Sequence, residues 1–306
     1  MSDILVASLN PCLDWEYTVP QFAHGGLNRV TRTFEGVGGK GINVAVALKN
    51  LGENPRCIGF NFTGGGQKVT EKLDAHGIPH DFVMVDGHVR VNIKLYEESG
   101  MMTELNQPGD FVPDFCVEKI TSQVRHDDLL ILTGSLPPGV PTDIYATLTA
   151  LHPGKVILDA SGEALLLALQ AGKKPYAIKP NLYELNGTFG VNLQTPQEII
   201  SFCRANITDV PVILVSMGEK GAVLVTPDTD YFQPSVKAKV HSLQGAGDAM
   251  VAGFAHGLMI NAAPQDLLRY AMAAATATVI LPGTQMCTRE GFEEFFNWYE
   301  NRTSWI

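Results

Sequence analysis

The sequence has little positive charge. Its 306 residues contain 22 Lys and Arg against 32 Asp and Glu, which gives a formal net charge of −10. Sequence-independent binding of nucleic acid or of an anionic membrane needs an excess of surface Lys and Arg. We therefore expect neither partner, and an anionic ligand has to be held by a few local cations.

Cysteines and long apolar runs are also scarce. The five cysteines show neither CxxC spacing nor histidine partners, which favours buried thiols over a zinc site or a disulfide framework. No segment reaches the about 18 consecutive apolar residues of a membrane span. The first apolar run, residues 4–9, is short and lacks the preceding basic region of a signal peptide. These features predict a cytoplasmic protein.

What the sequence does contain is an alternation of short apolar runs and helix-type segments. Hydrophobic residues make up 45% of the chain, which is ample for a buried core. The apolar runs, typical of strands covered on both faces, are residues 4–9, 57–62, 129–132, 156–159, 176–178 and 212–215. Helix candidates are residues 43–51, 68–76, 142–151, 163–171, 196–206, 264–278 and 290–301. This alternation predicts an α/β fold with a mostly parallel central sheet flanked by helices.

Two further pairs of segments look like hairpins with alternating polar residues, namely 15–19 with 28–35 and 89–96 with 102–105. We interpret them as a small β-sheet lid, formed by residues 12–36 and 88–106, within a single catalytic domain of residues 1–306. Ligands of open α/β sheets bind at the carboxyl ends of the strands, where a lid can close over them. Exposed strands in the lid also favour edge pairing, which predicts a homodimer formed through it.

The glycine-rich stretch GVGGKG, residues 36–41, matches the G-x-G-x-x-G pattern of dinucleotide-binding dehydrogenases. Its context does not match, because it is far from the first strand and the next strand, 57–62, does not end in the acid that binds ribose. A better interpretation is that Gly38, Gly39 and Gly41 bring backbone amides close to a polar ligand while Lys40 adds a charge. A glycine hinge between the lid and the following helix explains the same residues.

A second stretch of small residues, Gly245, Ala246 and Gly247, leads directly into Asp248 and an apolar segment that begins a helix. Backbone amides at a helix N-terminus stabilise an anion, and the helix dipole adds to the effect. Asp248 alone could be a helix cap. An anion hole beside a carboxylate that accepts a hydroxyl proton is, however, the arrangement that phosphoryl transfer needs.

The stretches GGKGINVA and GAGDAMVAGF resemble the two sequence signatures of the ribokinase-like PfkB family of sugar kinases. Other motifs occur in the order found in 1-phosphofructokinases and tagatose-6-phosphate kinases: NPCLD, VRVNIK, TELNQPG, TGSLPPG, DASGEAL, KPNLYEL and VSMGEKGA. The resemblance covers nearly the whole chain. It implies a ribokinase-like fold, ATP and Mg²⁺ as cofactors, and a small-molecule sugar phosphate as substrate.

The resemblance also assigns roles to residues. It implies that Asp248 is the catalytic base and that the amides of Gly245, Ala246 and Gly247 form the anion hole. The residues implied to bind substrate are Asp14, Arg29, Gly38, Gly39, Lys40, Asn43, Arg90, Asn92 and Ser135. Arg90 is the strongest candidate for the substrate phosphate, because a guanidinium can bind two oxygens at once. Asp14 and Ser135 could instead be turn formers, and Lys94, a secondary phosphate candidate, could equally be a solvated strand charge.

For the nucleotide, the resemblance implies contacts from Lys179, Asn181, Ser216, Gly218, Gly221 and Gly245. It places Glu184 and Asn181 near Mg²⁺, through waters, and Mg²⁺ needs few protein ligands. Glu184 could also be a first-turn acid that faces the helix dipole, and the glycines at 218 and 221 could form a hairpin turn. Leu243 stands where the family usually has Thr and offers no hydroxyl, so it bears on whether a monovalent cation binds near this loop.

The reaction implied is ATP-dependent phosphorylation of a ketohexose monophosphate. The motifs VRVNIK and TELNQPG resemble those of 1-phosphofructokinases more than those of tagatose-6-phosphate kinases, which implies fructose 1-phosphate as substrate and fructose 1,6-bisphosphate as product. Tagatose-6-phosphate kinase and fructose-6-phosphate kinase are alternatives within the family. A non-catalytic sugar-phosphate sensor and an NAD-dependent dehydrogenase are alternatives from other classes, and the presence of Asp248 with both flanking glycines argues against the sensor.

Overall fold

A large mixed sheet runs through the computed structural model, which describes residues 4–124, 129–300 and 304–305. Its parallel strands are β1 (Ile4–Ser8), β4 (Pro55–Gly64), β5 (His80–His88), β8 (Leu129–Thr133), β9 (Lys155–Asp159), β10 (Ala177–Ile178) and β11 (Val212–Ser216). Antiparallel strands β12 (Ala222–Val225), β13 (Asp230–Gln233) and β14 (Ser304–Trp305) extend one edge, in the order β14-β13-β12-β11-β10-β9-β8-β1-β4-β5. The predicted mostly parallel central sheet is confirmed.

A small sheet of four strands lies apart from the large one, in the order β3-β2-β6-β7. Its strands are β2 (Cys12–Val19), β3 (Arg32–Gly38), β6 (Arg90–Glu97) and β7 (Met102–Asn106). β2 and β6 pair in parallel, and β3 and β7 flank them antiparallel. The second sheet is confirmed, but β3 begins at Arg32, so the predicted strand over residues 28–35 was wrong for residues 28–31.

Helices cover the large sheet. They are α1 (Lys40–Asn50), α2 (Gly66–Ala75), α3 (Asp114–Gln123), α4 (Ile144–Leu151), α5 (Gly162–Gln170), α6 (Leu182–Phe189), α7 (Pro196–Asn206), α8 (Ala246–Met259), α9 (Pro264–Val279) and α10 (Arg289–Glu300). Every helix predicted from the sequence is present, with small differences at the ends. Residue 301, the last of the predicted final helix, lies outside the described residues.

Helix α8 is buried along most of its length because it is built almost entirely from small and apolar residues. Gly253 and Gly257 face α9, where an added Cβ would press on Tyr270. The close approach of α9 on one side and of α1 on the other holds the first turn of α8 at the carboxyl end of the sheet. This placement fixes where Asp248 can act.

The chain leaves the sheet in opposite directions after β1 and β8, which are neighbours in the sheet. From β1 the chain continues to β4 and β5 on one side, whereas β8 leads to β9, β10 and β11 on the other. The loops that follow the two strands meet, because Asn10 Nδ2 donates a hydrogen bond to Ser135 Oγ over 3.2 Å. Such a switch point is where open α/β sheets bind ligands.

All five cysteines are free and buried, as predicted. In the part of the chain that the structure describes, none of the helices is long and apolar enough to cross a membrane.

Candidate active site

Helices α1 and α8 begin side by side at the carboxyl end of the sheet. Asn43 Nδ2, in the first turn of α1, donates a hydrogen bond to Asp248 Oδ2, in the first turn of α8, over 2.9 Å. Gly245 precedes α8 with φ of 73°, a left-handed conformation that favours glycine, and a Cβ there would collide with Met286. No side chain caps α8 within the described residues, so the first-turn amides of Ala246 and Gly247 are left for a ligand.

The environment of Asp248 suits a general base. Burial raises the pKa of its carboxyl to about 6, although the charge of Lys40 and the hydrogen bond from Asn43 act in the opposite direction. A carboxylate with this pKa is ionised at neutral pH and takes up a proton far more readily than an exposed aspartate. The helix-cap interpretation was wrong, because Gly245 occupies the cap position of α8 and Asp248 lies within the first turn. Asp248 instead has the basicity that proton transfer requires.

Two lysines beside Asp248 share one buried carboxylate, that of Asp159 at the end of β9. Lys40 Nζ lies 3.1 Å from Asp159 Oδ2 and Lys179 Nζ lies 3.0 Å from Oδ1, while Thr133 Oγ1 donates to Oδ2 over 2.9 Å. Burial opposes ionisation of Asp159, but Lys179 and Lys40 lower its pKa to about 2. Asp159 in turn raises the pKa of Lys40, so both members of this pair are charged.

Lys179 reaches the start of α8, since its Nζ lies 3.6 Å from the position that a Cβ on Gly247 would occupy. The Lys40–Asp159–Lys179 cluster thus adds positive charge beside the first-turn amides of α8. Sequence reasoning missed Asp159, although its position at the carboxyl end of an apolar strand was a signal that could have identified it.

On the side of the small sheet, Asp14 is buried on β2. Its Oδ1 accepts a hydrogen bond from Lys94 Nζ at 3.2 Å. Its Oδ2 lies against Gly38, where a Cβ would collide with it, so this position needs glycine. Lys94 is buried too and also donates to Gln244 Oε1 over 2.6 Å, so its interpretation as a solvated strand charge was wrong.

Arg90 lies at the beginning of β6 and is held by backbone oxygens. Its Nε donates to the Asn10 carbonyl over 3.3 Å and its Nη1 to the Gln107 carbonyl over 3.1 Å. Asn92, two residues along the same strand, donates from Nδ2 to Cys12 Sγ over 3.2 Å and accepts from Arg90 Nη1 at 3.4 Å. These contacts orient Arg90 at the switch point, beside the loop of Ser135.

The other residues predicted to bind the sugar differ in how they are placed. Gly38 ends β3 and Gly39 precedes the first turn of α1, so the GVGGKG stretch joins the small sheet to α1. A dinucleotide fingerprint would instead follow β1, and its structural context is therefore missing. Arg29 is exposed between β2 and β3, and within the described residues no hydrogen bond or ion pair links it to the site.

Asn181 and Glu184 form a capping box at the start of α6. Asn181 N donates to Glu184 Oε2 over 2.8 Å, and Glu184 N donates to Asn181 Oδ1 over 2.7 Å. The second carboxylate oxygen of Glu184, Oε1, lies 3.7 Å from Lys40 Nζ. The described residues contain no group of three or more His, Cys, Asp or Glu that could hold a metal ion. The arrangement fits a hydrated Mg²⁺, since Oε1, which faces Lys40 and takes no part in the capping box, can also bind its waters.

The predicted nucleotide loop follows β11. Ser216 ends the strand and bridges to Asn181, and a 3-10 turn over Gly218–Lys220 leads through Gly221 into β12. The glycines thus form the turn of the β11–β12 hairpin, as one of the two interpretations predicted. Leu243, where the family pattern has Thr, is 75% exposed.

A cavity of about 640 Å³ opens beside the Lys40–Asp159–Lys179 cluster, between the loops that follow β8 and β9. Lys40, Ser135, Ser161 and Glu184 line it together with Pro137. Of the predicted site residues, Lys40, Ser135 and Glu184 thus lie around one cavity at the carboxyl end of the sheet.

Known proteins resemble this chain along most of its length. The family model described as pfkB family carbohydrate kinase matches residues 4–290. A 1-phosphofructokinase of Bacillus subtilis is 32% identical over 282 residues, which cover 90% of this chain and 92% of the relative. A tagatose-6-phosphate kinase of Staphylococcus epidermidis is 31% identical over 308 residues, which cover 97% of this chain and 98% of the relative.

Among solved structures, Escherichia coli phosphofructokinase-2 in complex with fructose-6-phosphate superposes with a TM-score of 0.89 at 27% identity, covering 98% of this chain and 100% of that chain. Other structures of the same enzyme are described as a complex with potassium and as a tetrameric inhibited form. The superposition confirms the predicted ribokinase-like fold.

Proposed function

Since this chain belongs to the pfkB family of carbohydrate kinases, we propose that it transfers the γ-phosphoryl group of ATP to fructose 1-phosphate and forms fructose 1,6-bisphosphate. The observation that carries the proposal is the buried carboxylate of Asp248 at the uncapped start of α8, beside the Lys40–Asp159–Lys179 cluster. Relatives named as kinases of phosphorylated ketohexoses support the substrate class.

In the proposed reaction, the C6 hydroxyl of fructose 1-phosphate attacks the γ-phosphorus of ATP, and the bond from that phosphorus to the bridging oxygen of ADP breaks. Asp248 accepts the hydroxyl proton, for which its raised pKa is suited. The amides of Gly245, Ala246 and Gly247 and the ammonium groups of Lys40 and Lys179 stabilise the negative charge on the transferred group.

The sugar phosphate would lie between the small sheet and α1. Asp14 and Asn43, which are both buried, bind hydroxyl groups, and Asn43 also holds the base Asp248. Arg90 binds the phosphate already present on the substrate, with Ser135 across the switch point. Gly38 and Gly39 bring backbone amides close to the sugar, and Asn92 orients Arg90.

ATP and a divalent metal are the cofactors that family membership implies, and we propose Mg²⁺ as the metal. When bound, Mg²⁺ offsets the negative charge of the nucleotide phosphates. Glu184 holds its waters through Oε1, while Asn181 keeps Glu184 in place through the capping box. Ser216, Gly218 and Gly221 border the nucleotide. We assign no residue to a monovalent cation, because Leu243 offers no hydroxyl in this loop.

Tagatose 6-phosphate is the second candidate substrate, favoured by the similarity to a tagatose-6-phosphate kinase over nearly the whole chain. A coupled assay of ADP formation with fructose 1-phosphate, tagatose 6-phosphate, fructose 6-phosphate and free fructose separates the candidates. We expect the highest kcat/KM for fructose 1-phosphate. A higher value for another phosphosugar would correct the substrate, and no ADP formation with any of the four would refute the proposed activity.

We also propose a cytoplasmic homodimer formed through the small sheet. Phe34 on β3 and Met102 and Leu105 on β7 are exposed on its two edge strands. Pairing of such edges would cover these side chains and satisfy their unpaired backbone groups. Light scattering coupled to gel filtration tests this, and a monomer would contradict it.

A further inference from the structure

The small sheet and the loop ahead of α8 are joined through the side chain of Gln244. Its Oε1 accepts a hydrogen bond from Lys94 Nζ over 2.6 Å, and its Nε2 donates to Tyr96 Oη over 2.9 Å. Lys94 and Tyr96 are two residues apart on β6, so their side chains lie on the same face of the small sheet. Both ends of the Gln244 amide are therefore held by one strand.

Lys94 extends this connection to the sugar side. Its ammonium group is buried, with a side-chain exposure of 9%, and lies 3.2 Å from Asp14 Oδ1. A buried lysine depends on its partners, because an unpaired charge away from water is costly. Asp14, Lys94 and Gln244 thus form a continuous polar chain from the predicted sugar site to the loop ahead of the anion hole.

Gln244 stands directly before Gly245, the residue that turns the chain into α8. Its own backbone amide donates to Ser242 Oγ over 3.2 Å, a contact within the same loop. Its neighbour Leu243 points into solvent and is 75% exposed. A shift of the Gln244 side chain would therefore be transmitted to the amides of Gly245 and the residues that follow.

We propose that Gln244 is a positioning residue that couples occupancy of the sugar site at Asp14 to the geometry of the anion hole, through Lys94. The inference rests on the proposed kinase activity. A sugar hydroxyl that donates to Asp14 competes with the hydrogen bond from Lys94 to this carboxylate. The hydrogen bond from Lys94 to Gln244 changes as a result. We expect a bound sugar to strengthen nucleotide binding at the anion hole. Because coupling between two binding sites is reciprocal, the nucleotide then strengthens sugar binding by the same factor.

The test measures this factor by calorimetry. The dissociation constant of the phosphosugar that the wild type turns over fastest is determined with and without a non-hydrolysable ATP analogue and Mg²⁺. For the wild type we expect the analogue to tighten sugar binding about 5- to 10-fold, at the low end of typical coupling. In Gln244→Leu the sugar alone should bind within about twofold of the wild type, the tightening should disappear, and kcat should fall roughly tenfold.

A matched control is Leu243→Ala, which changes the adjacent exposed residue and should keep the tightening and kcat. The double variant Lys94→Met/Gln244→Leu should show no further loss of tightening beyond either single variant, because both remove the same connection. If Gln244→Leu does not fold, Tyr96→Phe removes one of the two contacts more gently and should reduce the tightening. A wild type without tightening, or a Gln244→Leu variant that retains it, would overturn the inference.

Hydrogen exchange separates failure of this inference from failure of the proposed function. In the ligand-free protein, Gln244→Leu should speed exchange in peptides that cover residues 240–249 and β6, relative to Leu243→Ala. If no sugar phosphate is turned over but exchange still rises in both segments, the connection stands and the kinase proposal fails. If the kinase is active and neither exchange nor tightening changes, the coupling is refuted and the activity stands.

Discussion

Asn43 Nδ2 and Asp248 Oδ2 are 2.9 Å apart, although the two residues are separated by 205 positions in the sequence. The hydrogen bond joins the first helix of the chain to the helix that carries the proposed base. It also favours the ionised form of Asp248, against the effect of burial. The contact thus tunes the residue on which the proposed mechanism depends.

The pH dependence of kcat/KM should report this tuning. Because the pKa of Asp248 is raised to about 6, activity should fall as the pH drops below about 6, where the base becomes protonated. The Asn43→Ala variant loses a hydrogen bond that lowers this pKa, so its acid limb should move to higher pH. Asn50→Ala, at the other end of α1, is the control and should leave the limb in place. An unchanged limb in Asn43→Ala would exclude Asp248 as the titrating group.

Replacement of the shared carboxylate by Asp159→Asn should destabilise the protein. Lys40 and Lys179 would keep their buried or half-buried charges without the counter-ion, a change that typically costs about 3–5 kcal/mol. The pKa of Asp159 is lowered to about 2, so its contribution is complete above its ordinary pKa and is lost as the pH falls toward 2. Urea unfolding at pH 7 and at acid pH should show the curves converging in acid, whereas the exposed control Asp86→Asn should match the wild type throughout.

The fold could be predicted where local pattern and tertiary position agree. Strands β1, β8 and β11 are buried on both faces and therefore appear in the sequence as continuous apolar runs. β5 was missed because it lies at the edge of the sheet, and its exposed and buried residues alternate over Phe82–Asp86 without an apolar run. Helix α3 was missed as well, since only Cys116, Val117 and Ile120 are buried.

The residues of the site could likewise be predicted only where their signal is local in the sequence. Asp248 and the glycines before it carry a local signature, so they could be found from the sequence alone. The role of Asp159 depends on two lysines contributed by α1 and by the end of β10, which meet it only in the folded chain. In the sequence, Lys94 is a polar residue on a strand of alternating pattern, which predicts exposure. It is buried because it binds Asp14 and Gln244, which lie 80 and 150 residues away in sequence.

Glu184→Gln should separate the capping function from metal binding. Glutamine can still accept the hydrogen bond from Asn181 N in a capping box, so stability should be unchanged. The apparent affinity for Mg²⁺ should fall about 10-fold or more, in line with the usual effect of removing an outer metal partner. Glu198→Gln is a matched control, because Thr195 and Glu198 form the same capping box on α7. Equal Mg²⁺ dependence of the two variants in a kinase assay would remove Glu184 from the metal site.

Arg90→Ala should raise KM for the phosphosugar much more than KM for ATP. The guanidinium is oriented by the carbonyls of Asn10 and Gln107, while Nη2 donates no hydrogen bond within the described residues and is available to the substrate phosphate. Loss of a charged hydrogen bond typically costs about 1.5–3 kcal/mol, or roughly 10- to 100-fold in kcat/KM for the sugar. Lys49→Ala, a surface lysine on α1, controls for net charge. Similar increases in both KM values would contradict the assignment.

Asp248→Asn tests the base directly, because asparagine has nearly the same shape and can still accept the hydrogen bond from Asn43 but cannot accept the hydroxyl proton. We expect kcat to fall by about 10²- to 10⁴-fold, the usual contribution of a positioned general base. Stability should not decrease, since the raised pKa means that ionised Asp248 costs folding free energy above pH 6 and the neutral amide does not. ATP affinity should be unchanged or higher, because a negative charge near the phosphates is removed. Stopped-time assays, thermal melts and calorimetry measure the three quantities, and a variant that keeps most of its turnover would exclude Asp248 as the general base.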